Sequence, residues 1–171
     1  ALFMAASVGS ALVPESVGVV GVGTISSAAV RGLCRSSDAP QFVLSPRNAA
    51  KAKALAQEFE SVRIATDNQA IVDACDCVLL AVLPGQAEQV CEPLTFREGQ
   101  LVISLMAGVP LSDIERWCGP AECSLACPLP AIAENAGTTI VPQRRSLSSL
   151  SPSPSLSLVF HGPNILFFTP A

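Results

Sequence analysis

A chain of 171 residues, half of them hydrophobic and 14% charged, has enough apolar material for one buried α/β core. Ten basic and fourteen acidic residues leave a net charge of −4, which excludes the broad positive field of a nucleic-acid or anionic-membrane binder and makes any phosphate recognition local. Seven cysteines at 34, 75, 77, 91, 118, 123 and 127 lack paired CxxC spacing, so they read as small core residues of a chain in a reducing compartment, with no metal site and no structural disulfides.

Residues 1–15 form an N-terminal extension, apolar and uncharged through residue 14, without a basic leader and too short to span a bilayer. The chain opens on Ala1, so a targeting segment stays open; the cytoplasm is the expected compartment, with an organelle as the alternative. The run Val17-Gly18-Val19-Val20-Gly21-Val22-Gly23-Thr24-Ile25-Ser26-Ser27-Ala28 then reads as a buried strand, a tight turn and the first turn of a helix. Gly21 permits the sharp turn, Gly23 lets backbone approach a pyrophosphate, and the amides opening the helix face the anion. Ser26 holds the third glycine position of that fingerprint and is still small. Glycines in an ordinary buried turn are the plain alternative.

From residue 16 to 142, short apolar runs alternate with helical patterns, the mark of βαβ units around a parallel sheet. Strands are expected at 17–20, 41–44, 62–65, 77–82, 101–105 and 122–126. Helical faces are expected from Ile25, Ala28, Ala29 and Leu33, from Ala52, Leu55, Ala56 and Phe59, and from Ile71, Val72 and Cys75. Asp67 or Asn68 caps the third helix, and a later one starts at Pro110 and ends at Gly119. The expected fold is α/β: a Rossmann-like doubly wound parallel sheet with helices on both faces, right-handed crossovers and strand order 3-2-1-4-5-6.

The end of the second strand selects the cofactor. An NAD-preferring domain places an acid there, whereas this chain reads Leu44-Ser45-Pro46-Arg47-Asn48. Arg47 offers a planar cation for a 2′-phosphate, with Ser45 and Asn48 as neutral donors, so NADP (NADPH) is expected and NAD is less favoured. Asn48 also suits a helix cap. The fourth strand ends on Ala81-Val82-Leu83-Pro84 and the fifth on Ser104-Leu105-Met106-Ala107-Gly108. Ala107 and Gly108 are small enough to leave room for a nicotinamide ribose at the carboxyl ends of the strands, although plain loop chemistry explains them too.

In their order these stretches resemble the N-terminal domain of pyrroline-5-carboxylate reductase, the NAD(P)H-dependent enzyme of proline biosynthesis. The matching blocks are Gly18-Val19-Val20-Gly21-Val22-Gly23 with Ser27-Ala28, Ser45-Pro46-Arg47-Asn48 with 51–59, Ala81-Val82-Leu83-Pro84, Ile103-Ser104-Leu105-Met106-Ala107-Gly108, and 128–137. The resemblance spans residues 16–142. It implies an oxidoreductase that passes hydride from NADPH to a cyclic imine. It further implies that Gly21, Gly23, Thr24 and Ile25 hold the pyrophosphate, that Ser45, Arg47 and Asn48 hold the adenosine phosphate, that Asn68 stands near the adenine ribose, and that Ala81, Val82, Leu83 and Pro84 flank the nicotinamide. No catalytic residue is assigned.

Two departures bear on substrate. The family commonly has Lys where this chain has Leu83, and Met-Pro-Asn-Thr-Pro where this chain has Cys127-Pro128-Leu129-Pro130, so another imine or carbonyl substrate stays open. Members also continue into a C-terminal helical domain that binds substrate and builds the dimer. The expectation is therefore an incomplete, monomeric cofactor-binding half with little turnover of its own. After Pro142, residues 143–171 turn abruptly rich in Ser, Pro and Leu, which reads as an irregular, low-complexity tail: either a linker or sequence outside the original reading frame. Its isolated His161 is given no role. A stand-alone dinucleotide-binding module without chemistry, and an NADP-linked reductase of another substrate, are the competing readings.

Overall fold

The computed structural model describes residues 14–35 and 39–127, together with the backbone of 128, 139–140, 157–161 and 164–168. Six parallel strands form the main sheet: β1 (Ser16–Val20), β2 (Gln41–Leu44), β3 (Val62–Ile64), β4 (Cys77–Leu80), β5 (Leu101–Ser104) and β6 (Glu122–Leu125), in the order β3-β2-β1-β4-β5-β6. The expected order is observed, with the direction of winding reversing between β1 and β4. Five α-helices connect the strands: α1 (Thr24–Cys34), α2 (Ala49–Glu58), α3 (Asn68–Ala74), α4 (Ala87–Cys91) and α5 (Leu111–Cys118).

Each central strand is buried on both sides, and its period of two divides the core into two clusters. Val20, Val43, Val78, Leu80 and Val102 face Ile71 and Val72 of α3, Ala87 and Cys91 of α4, and Ile114 and Cys118 of α5. Val17, Val19, Phe42, Leu44, Cys77, Leu79 and Ile103 share the other cluster with Val30 of α1 and with Ala52 and Leu55 of α2. Helices thus lie on both faces. Cys75, Cys77, Cys91 and Cys118 are core residues, as expected from the sequence, and burial pushes the Cys77 thiol up to about 12 and that of Cys91 up to about 11. Cys127, by contrast, is exposed.

Four strands end earlier than the sequence suggests, and their ladders explain the difference. Ala65, Ala81, Leu105 and Ala126 lie just past their strands, yet each amide still donates to a neighbouring strand, at 2.9, 2.8, 2.8 and 2.9 Å. Pairing therefore outlasts the strand by one residue before the chain turns into a loop. The turn at Pro84–Gln86 and α4 have no counterpart among the expected elements, because five residues with two buried positions carry too little periodicity to be read.

Beyond the main sheet, β7 (Cys127–Pro128) pairs antiparallel with β8 (Thr139–Ile140), and β9 (Ser157–His161) with β10 (Asn164–Phe168). The second pair falls in the segment read as irregular. In sequence, Leu158 and Phe160 alternate with other residues before Gly162-Pro163, and Ile165 and Phe167 do so after it, a hairpin pattern masked by the Ser/Pro-rich stretch preceding it.

Candidate dinucleotide site

The loops and helix starts that follow the carboxyl ends of β1 to β5 carry every site residue expected from the sequence. Gly21 has φ +97° and turns the chain out of β1. A Cβ there would lie 2.7 Å from the Ala81 carbonyl oxygen and 2.9 Å from a Val82 methyl, so glycine is required both by conformation and by the end of β4 packed against it. Gly23, the N-cap of α1, differs. A Cβ on it would meet only the Ser26 hydroxyl, at 4.0 Å, which leaves the space above the turn open for a ligand.

Ser26 explains why this chain needs no third glycine. Its buried hydroxyl accepts from the Gly23 amide at 2.8 Å and donates to the Gly21 carbonyl at 2.8 Å, tying both ends of the turn together. Ser27 adds a bond to the Gly23 carbonyl at 2.6 Å. The turn is thus fixed from within, while the amides of Thr24 and Ile25 sit in the first turn of α1, where no intrahelical carbonyl reaches them. Such amides, with the positive end of the helix dipole, form a place for a phosphate.

The β2–α2 loop is stitched to its neighbours by side chains. Asn48 caps α2, accepting from the Lys51 amide at 3.4 Å, and its own amide donates to the Val22 carbonyl at 3.0 Å. The cap expected of Asn48 is observed, whereas the side-chain amide read as a donor to the adenosine phosphate donates here to Val22. Lys51 reaches in the same direction, its Nζ 3.3 Å from the Thr24 hydroxyl. The exposed Arg47 lies toward the β4 side, where it donates to Gln86 at 3.4 Å. Neither cation is paired with a carboxylate among the described residues.

Ser45 is buried and donates to Asn68 Oδ1 at 2.8 Å, so these two expected ligands are partners of each other and the Ser45 proton is already committed. Asn68 opens α3 behind the Asp67 cap, whose carboxylate accepts from the Ala70 amide at 2.8 Å. That bond holds the Asp67 carboxyl below its ordinary value. Ala81 and Val82 back the glycine turn, whereas Leu83 is 68% exposed, a large apolar side chain standing free at the mouth of the crevice. Pro84 follows it, also exposed. Ala107 and Gly108 form an exposed turn after β5, with Gly108 at φ +83°. The 129–137 block lies outside the described residues, and no cluster of metal-ligating side chains occurs among the described ones.

Sequence reasoning overlooked two members of this constellation. Lys51 was visible only as part of a helical block, and Gln86 belongs to the turn that carried no readable pattern. The arrangement as a whole fits a phosphate-bearing ligand laid across the carboxyl edge: open space over Gly23, free helix-start amides, two unpaired cations, and no acid at the end of β2.

Comparison with known proteins agrees with this geometry. Residues 16–108 match the family model described as NADP oxidoreductase, coenzyme F420-dependent. The pyrroline-5-carboxylate reductase of Pseudomonas aeruginosa is 28% identical over 114 residues, an alignment that takes in 65% of this chain and 41% of that protein. A solved pyrroline-5-carboxylate reductase from Coxiella burnetii superposes with a TM-score of 0.68 at 27% identity, over 80% of this chain and 52% of the other. The Plasmodium falciparum pyrroline carboxylate reductase, solved with NADP bound, shares the fold with a TM-score of 0.63 at 18% identity, over 79% of this chain and 50% of that one. The chain therefore spans about two fifths to one half of the length of these relatives.

Proposed function

The chain belongs to the family of NADP oxidoreductases described as coenzyme F420-dependent, and we propose that within it this chain supplies the NADPH-binding part of a reductase resembling pyrroline-5-carboxylate reductase. The observation that carries the proposal is the pairing of an open glycine turn at the β1/β4 switch point with Arg47, an unpaired cation, at the end of a β2 that lacks an acid. The bound nicotinamide would supply hydride for transfer to the carbon of a cyclic imine. Gly21, Gly23, Thr24 and Ile25 hold the pyrophosphate, Arg47 and Asn48 the adenosine end, and Ser45 orients Asn68 beside the ribose. Ala81 and Val82 fix the glycine turn, while Leu83, Pro84, Ala107 and Gly108 border the nicotinamide.

The side chains bordering the nicotinamide, Leu83, Pro84 and Ala107, carry no acidic proton, so the contribution of these residues is to bind and orient the hydride donor. Leu83 makes that border apolar. The substrate is a small imine, and its identity beyond that class follows from whatever faces Leu83. Titration of the full chain with NADPH and NADH, followed by nicotinamide fluorescence, tests the proposal. The wild type is expected to bind NADPH more tightly than NADH. Arg47→Ala should weaken NADPH by about tenfold, the scale of one charge-assisted contact of about 1.4 kcal/mol, and leave NADH nearly unchanged. Equal losses for the two nucleotides would remove the 2′-phosphate role from Arg47.

A further inference from the structure

We propose that Cys118 and Cys123 form a reversible thiol–disulfide site, oxidised by a hydroperoxide, that clips α5 to the outermost strand of the main sheet. Cys118 is the last residue of α5 and Cys123 the second of β6, and only Gly119-Pro120-Ala121-Glu122 separate them. Gly119, at φ +55°, turns the chain back, its amide donating to the Glu115 carbonyl at 3.1 Å, and the Ala121 amide donates to the Cys118 carbonyl at 3.3 Å. This tight return brings the two side chains to the same side of the sheet, where Cys118 is part of the core cluster and Cys123 packs against it. The Cys118 thiol donates a hydrogen bond to the Cys123 sulfur, which also lies 3.7 Å from the Ala121 carbonyl oxygen. Both residues are free thiols in this structure.

Access divides the tasks between the two sulfurs. Cys75, Cys91 and Cys118 of this cluster are fully buried, whereas Cys123 is only half-buried and is the thiol that solvent reaches. The hydrogen bond from Cys118 favours a thiolate on Cys123 and lowers its pKa, while the same bond, with burial, raises that of Cys118. Cys123 is thus the attacking sulfur and Cys118 the resolving one. The Cys123 thiolate attacks the peroxide, an S–O bond forms as the O–O bond breaks, and the departing hydroxide takes up a proton to leave as water. The Cys118 sulfur, giving up its proton, then attacks the Cys123 sulfenic acid; an S–S bond forms, and hydroxide leaves with that proton as a second water. Two thiols lose two electrons and one peroxide gains them. In the main sheet β6 pairs with β5 alone, so the new bond closes the short α5–β6 loop at an edge that otherwise opens readily.

The full chain carrying Cys127→Ser, which removes the exposed thiol nearest in sequence, is reduced, freed of reductant and treated with hydrogen peroxide. Cleavage after Glu122 then parts the two cysteines for peptide mass spectrometry without reductant. The Cys118 and Cys123 peptides are expected joined, two hydrogens lighter than their sum, and separable by dithiothreitol. Trp117, the chain's one tryptophan, adjoins Cys118, so its emission should fall on oxidation and recover on reduction. The oxidised chain should melt about 5 °C higher than the reduced one, the scale of a short-loop disulfide. Adding Cys123→Ser, a change at the half-buried position, should abolish both the emission change and the rise in melting temperature. A Cys123 sulfinic acid beside a reduced Cys118, or a link that forms only in urea, overturns the pairing. Persistence of the emission change in Cys123→Ser overturns it as well, and a linked chain that melts no higher than the reduced one overturns the clip.

Discussion

Two arginines at opposite edges of one sheet behave differently. At the amino edge, Arg97 donates to the Val72 carbonyl at 3.1 Å and to the Cys75 carbonyl at 3.0 Å, and it also pairs with Asp76. The buried Gln100 beside it donates to the same two carbonyls, both at 2.7 Å, and accepts from the Arg97 amide at 3.2 Å. The C-terminal end of α3 is thereby closed by side chains, and the donors are spent. At the carboxyl edge, Arg47 makes one contact of 3.4 Å with Gln86, and Lys51 reaches only a hydroxyl. A finished set of bonds marks a residue that holds the fold; unspent donors around open backbone fit the ligand-binding role proposed for Arg47. The edge of the sheet, rather than the residue type, tells the two apart.

The strongest way to break this contrast is Gly21→Ala, because Gly21 belongs to both categories. It lines the proposed ligand site, yet a Cβ on it would press on the Ala81 carbonyl at 2.7 Å while the backbone holds a φ of +97°. Strain and overpacking together predict a loss of about 3 kcal/mol or more in urea unfolding, with NADPH binding abolished. Next in size is Gln100→Leu. Removing the amide takes one of two donors from each carbonyl, Arg97 keeping the other, and leaves the Arg97 amide without its acceptor, which should cost about 1–2 kcal/mol, while the folded fraction binds NADPH with unchanged Kd. Arg47→Ala is the converse measurement, expected to shift the urea midpoint by no more than about 0.5 kcal/mol of stability despite its effect on NADPH. Should Arg47→Ala unfold the chain as readily as Gln100→Leu, the division of labour between the two edges does not hold.

Most of this architecture was legible because its signals are local. Continuous apolar strands, Asp67 before Asn68, and Pro110 and Gly119 around α5 each declare their state within a few residues, and their alternation leaves one strand order as the natural one. The glycine turn was legible for the same reason. What escaped notice depends on contacts far apart in sequence. The bond of Lys51 to Thr24 spans 27 residues, that of Arg47 to Gln86 spans 39, and the closure of α3 by Gln100 spans 25 and 28. Ser45 illustrates the limit from the other side: its type suggests a donor to the cofactor's phosphate, and only the fold reveals that its proton goes to Asn68.

Helix α3 brings the comparison down to a single element, since its two ends meet the two edges. Its C-terminal end is held by the buried Gln100, whereas its start depends on Asp67, an exposed carboxylate that accepts from the Ala70 amide and is further bonded by Thr66. The Ala70 bond lowers the Asp67 pKa in the fold relative to the unfolded chain, where an aspartate titrates near about 4. The sign of the linkage follows. Stabilisation by this cap is fully present above the unfolded value and fades as pH falls through the lower folded one, because protonation then removes charge from an oxygen that accepts a hydrogen bond. Asn caps as well as Asp without titrating, so Asp67→Asn should match the wild type at neutral pH. Below about pH 4 the wild type should lose melting temperature faster than the variant. Parallel curves across that range would mean that the Asp67 charge contributes nothing to the start of α3, and that this end is held by packing and neutral hydrogen bonds alone.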